Sequence, residues 1–138
     1  MFSRTTSVIL RLLLILAALT ITSSVAKAQV EFVGVNKKAT LTSNSTVAIV
    51  TGSVVCTGTF SVSAIIQQNH SGTNVVGSGS TPGTGTQLCT GTPQSFAVQV
   101  QVLNPPNATF SKGPASAIVQ VNDPLGSQTV TTEVQLTE

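Results

Sequence analysis

Side chains able to move protons, attack a substrate or hold a metal are few in this sequence. Its 138 residues include one histidine, two cysteines and four acidic side chains, with no tryptophan and no tyrosine. A Ser-His-Asp arrangement would have to recruit His70 and Asp123. His70 lies in Gln67-Gln-Asn-His-Ser-Gly72, a run that reads as an exposed turn, and no Gly-x-Ser-x-Gly elbow is present. Glycoside hydrolysis needs two facing carboxylates. Glu31 falls in a first strand, Glu133 on the polar face of a late one and Glu138 at the last position, while Asp123-Pro124 reads as a turn whose side chain caps local backbone. A calcium site wants several carboxylates among its oxygen ligands, and Asp123 alone does not supply them. The expectation is a chain without catalytic, cofactor-binding or metal-binding residues: not an enzyme, and with no cofactor.

Cys56 and Cys89 are the only cysteines, and both stand in Cys-Thr-Gly-Thr. Neither forms a Cys-x-x-Cys redox pair, and two cysteines with one histidine do not complete a four-ligand zinc site. In an oxidising compartment the default is a structural disulfide.

That compartment is predicted by the first 28 residues. Arg4 and Arg11 supply a basic start, Leu12 to Leu19 a short apolar core, and Ala26-Lys27-Ala28 a small-x-small cleavage pattern. The apolar stretch is short for a spanning helix and already holds Thr20, Thr22, Ser23 and Ser24. This order predicts a signal peptide over 1–28, a mature start at Gln29, and a secreted protein, extracellular or periplasmic. The signal has a bacterial look. No cysteine follows the cleavage site to carry a lipid, and the last residues hold no apolar anchor.

Cleavage removes Arg4, Arg11 and Lys27. Lys37, Lys38 and Lys112 then face Glu31, Asp123, Glu133 and Glu138, so the net charge moves from +2 to −1. Three lysines do not build the basic face that phosphates or anionic lipids demand. Nucleic acid and stable membrane insertion are thereby excluded as expected partners. The remaining 29–138 segment has the length of one domain, and its abundant Val and Thr suit pleated, half-buried surfaces.

Alternation with period two dominates that segment. Phe60, Val62, Ala64 and Ile66 share one face; so do Phe96, Val98, Val100 and Val102, and Ala115, Ala117, Val119 and Val121. Val130, Val134 and Leu136 share a face with Thr132. Thr46 to Thr57 is a longer apolar run with even positions Ala48, Val50, Val54 and Cys56, and Gly52 marks a bulge or a close backbone approach. Val30–Val35, Asn74–Ser78 and Gln87–Thr90 complete the set, the last two as edge pieces. Thr57-Gly58, Asn104-Pro-Pro106 and Asn122-Asp-Pro-Leu-Gly126 punctuate it as turns. Gly77 to Gly85 reads as a flexible, low-bulk loop. About seven to eight short strands at this spacing predict an all-β antiparallel sandwich with one core between two sheets.

Gly52-Ser-Val-Val-Cys56, Phe60 to Gln67, Cys89-Thr-Gly-Thr-Pro-Gln-Ser-Phe-Ala-Val98 and Phe110-Ser-Lys-Gly-Pro-Ala115 together resemble uncharacterised secreted bacterial proteins with an immunoglobulin-like β-sandwich domain. The resemblance implies that fold and no activity. The chain departs from antibody-type domains in having no core tryptophan and a shorter cysteine separation.

Export, a stapled β domain and the poor chemical inventory predict a structural or binding module that acts through its surface, on a protein or a cell-surface glycan. The alternative is a secreted inhibitor or small-ligand or carbohydrate binder that uses the Gly77–Gly85 loop. Asn44, Asn69 and Asn107 head N-x-Ser/Thr triplets. With a bacterial signal, no glycans are predicted on them.

Overall fold

The structure, a computed structural model, describes residues 30–42, 44–81, 87–124 and 126–138. The predicted signal peptide and Gln29 lie outside the described residues. Eight strands follow in chain order: β1 (Val30–Val35), β2 (Lys38–Leu41), β3 (Val47–His70), β4 (Thr73–Ser80), β5 (Gln87–Thr90), β6 (Gln94–Asn104), β7 (Gly113–Asp123) and β8 (Gly126–Thr137). There is no helix among them. Wherever the alternation is clean, the apolar member points inward: Phe60, Val62, Phe96, Val98, Val100 and Val119 are all buried.

The expected two-sheet sandwich is not what forms. The strands close into a seven-strand mixed β-barrel. Its cause is β3, which is 24 residues long. The first half of β3 pairs with β6 on one side and with β1 and β2 on the other. Its second half pairs with β7 and β4. One strand thus serves two places in the ring, and β4 meets β6 between its halves. The ring shuts where β2 runs parallel to β8, Lys38 opposite Gln135 and Thr40 opposite Thr137. All other pairings are antiparallel. The core lies inside one closed sheet, rather than between two.

Several local expectations shift with this. Thr57-Gly58 is not a turn: β3 runs through it, and Gly58 takes a φ of 98° inside the strand. The chain turns only after His70, at Ser71-Gly72, where both φ values are positive. Gly77 to Ser80 belong to β4, which is paired on both sides and is no edge piece. Of the expected loop, 82–85 lie outside the described residues. Gly52 does mark a close approach. A Cβ there would strike the Gly34 carbonyl oxygen and the Phe96 ring, so only glycine lets β1 and Phe96 seat against β3.

The inward face of β3 continues past Ile66 to a polar residue, Gln68, which is 3% exposed. Its Nε2 donates to the Ser111 carbonyl at 2.7 Å, and its Oε1 accepts the Ser111 N–H at 2.8 Å. One amide side chain thereby satisfies both backbone groups of the segment leading into β7 and closes that end of the barrel. Gln68→Leu keeps the bulk and strands both groups. It should cost roughly 1–3 kcal/mol per abandoned group in urea unfolding. A loss under about 0.5 kcal/mol, the level of an ordinary surface change, would show that this clamp is dispensable.

Candidate ligand groove

The residues singled out for chemistry are not brought together. Ser61 lies opposite Asn122 in the β3–β7 ladder, so Asp123 sits level with the middle of β3, while His70 is that strand's last residue. At ~3.3 Å per residue the two are separated by roughly 30–35 Å of strand. His70 is exposed. Asp123 reaches beyond its own turn: its Oδ2 accepts the N–H of Val30 at 3.0 Å, tying the start of β1 to the end of β7. Glu138 pairs with Lys112 at 2.8 Å, with both side chains more than three-fifths exposed. Such a contact adds little to stability. Glu31 is exposed, and Glu133 stands on the outer face of β8. Among the described residues no three His, Cys, Asp or Glu side chains group as metal ligands.

Cys56 and Cys89 are bonded, with Cα atoms 5.3 Å apart. Cys89 lies opposite Gly58, so the bridge crosses the β3–β5 ladder diagonally. It ties β5 to the middle of β3, with both cysteines buried.

The barrel's interior is filled by Phe60, Phe110, Ile66, Leu136 and the valines of β3, β6, β7 and β8. A groove of about 420 Å³ instead lies on the outer face, over the second half of β3, β7 and β8. Register builds it. Gln67 is opposite Ser116, and Ser116 is opposite Glu133, giving one straight row across three strands. The next outward row is Ile65, Ile118 and Thr131. Neighbouring strands lie ~4.8 Å apart, so each row places its three side chains within roughly 10 Å. Asn69 and Pro114 line the groove beyond the polar row.

The polar side chains Gln67, Asn69, Ser116 and Glu133 make no hydrogen bond to any described residue. Their surroundings differ in this. Gln68 is fully engaged inside, and Lys37 Nζ donates to Thr132 Oγ1 at 2.7 Å at the groove's edge. The central strand, β7, is paired along both edges, so its side chains are carried on a stiff base.

In the sequence Gln67 falls near a turn, Glu133 on a polar face, and Ser116 between Ala115 and Ala117 of an inward-facing set. The alternation says which way a side chain points, but strand neighbours far apart in the chain are set by pairing alone.

The chain matches no protein-family model and no curated protein.

Proposed function

We propose that this chain is an exported, non-catalytic binding module that acts through the outer face of its barrel. The observation that carries this reading is the row Gln67–Ser116–Glu133, uncommitted polar groups held in register on a doubly paired strand. Rigid presentation of a few convergent polar groups is what a binding site requires. The packed interior supports it from the other side, since the residues that fill the barrel leave recognition to its surface. The disulfide is consistent with a location outside the cytoplasm. The polarity of the wall agrees with a chain in water. Outward positions such as Ser63, Gln67, Gln99, Gln101, Gln120 and Glu133 are polar, the reverse of a barrel set in lipid.

The test is a blocked groove. Ser116→Arg puts a long side chain into the middle of the row without touching the core. Immobilised protein should retain material from an extracellular extract, and the Ser116→Arg protein should not, with unfolding free energies equal to within about 0.5 kcal/mol. Retention unchanged by the substitution, or chemical turnover of the retained material, would overturn the reading.

A further inference from the structure

We propose that the ligand of this groove is a neutral glycan, a chain of linked hexoses lying across β3, β7 and β8; this rests on the binding reading above and names its chemistry. Three observations separate this ligand from the other candidates.

The first is that β7, the groove's central strand, has no free backbone edge. A peptide captured as an added strand needs unpaired N–H and C=O groups. The ladders on either side of β7 use them, with Ser116 and Ile118 each paired to β3 and to β8. Over β7, where the row is centred, recognition therefore runs through side chains.

The second is the kind of side chain. The amides of Gln67 and Asn69 and the hydroxyls of Ser116 and Thr131 both donate and accept, and Glu133 accepts. Sugar hydroxyls also do both, so every member of the row has a use against them. One carboxylate, Glu133, and one ammonium, that of Lys37 on Thr132, leave the groove without net charge. An anionic ligand would meet no excess of cations.

The third is the neighbouring row. Ile65, which is 38% exposed, lies beside the half-buried Ile118 and forms an apolar strip alongside the polar one. A hexose ring has the same division, with a C–H face and a rim of hydroxyls. The ring can cover the isoleucines while its rim meets Gln67, Ser116 and Glu133. The groove carries no aromatic side chain, so it lacks the stacking platform that gives strong sugar binding. The expected dissociation constant is therefore on the order of 1 mM.

The experiment is a titration of the ¹⁵N-labelled protein with maltohexaose, cellohexaose and mannohexaose, each taken to about 10 mM, ten times that constant. At least one should give saturable shifts at the backbone amides of Gln67, Ser116 and Glu133 and at the Gln67 side-chain amide. Ser116→Arg should abolish them. Gln67→Ala, which changes only an exposed side chain, should weaken binding several-fold and serves should the arginine disturb the fold. No saturable shift with any of the three, or shifts elsewhere that survive Ser116→Arg, would overturn the glycan assignment. If Ser116→Arg still removes retention of extracellular material in that case, the binding module stands and its ligand belongs to another class.

Discussion

Replacing Cys56 and Cys89 together with alanine is expected to lower the melting temperature by on the order of 15 °C and to leave the barrel closed. The chain-entropy account gives about 3–4 kcal/mol for a link across 33 residues. For a domain of this size each kcal/mol moves the midpoint by several degrees. The fold should survive because β5 is off the ring. Among the described residues β5 pairs only with β3, at Thr57 to Phe60, while the closing ladders are β2–β8, β8–β7, β7–β3, β3–β4, β4–β6, β6–β3 and β3–β2. Amide exchange should therefore quicken first in β5 and in Gly91, whose N–H bonds the Cys56 carbonyl at 3.0 Å. A variant melting with the wild type would show that the bridge adds nothing. A variant with no native signal dispersion would show that β5 is part of the barrel's foundation.

Phe96→Ala should cost roughly 3–5 kcal/mol. The ring is 3% exposed and lies over Gly52, where β1 also comes close. Glycine has no side chain to move into the vacated space, and the paired backbones of β1, β3 and β6 hold its walls apart. The void should persist, and a persistent void is what makes such truncations expensive. Typical domains have about 5–15 kcal/mol in hand, so this single change takes a large share of that margin. Urea unfolding measures it. A loss under about 1 kcal/mol would mean that the site collapses around the alanine, and that Gly34 and Gly52 are not held in place as the pairing shows.

The strands themselves were legible because burial on one face writes a period of two into the chain. Phe60 to Ile66 and Phe96 to Val100 could be read without any structure, and every inward position of the two runs is buried. The continuity of β3 was not legible. Thr57-Gly58 has the composition of a turn, and only the ladder to β5 shows that the strand continues through it. The closure was hidden for a related reason. A sandwich and a barrel both present one apolar face per strand, and what separates them is the pairing of β2 with β8, which leaves no local mark. The disulfide could be read from two cysteines and a predicted export signal. The groove could not: Gln67, Ser116 and Glu133 look like unrelated polar positions until three strands are laid side by side.

The parallel β2–β8 pair has a consequence for the order of assembly. Lys38 to Thr40 wait for Gln135 to Thr137, with nearly the whole domain between them. As the chain is synthesised from its N-terminal end, the β3–β4 hairpin can fold early, because Ser71-Gly72 joins neighbours. The ring cannot shut until Leu136 has been made. Up to that moment β2 and β7 lack their β8 partner and the apolar interior stays open on that side, the state in which β chains stick to one another. The last residues are therefore the latch of the barrel. A chain stopped short of Val134 would be a long-lived open sheet, and a substrate for chaperones, rather than a slightly trimmed domain.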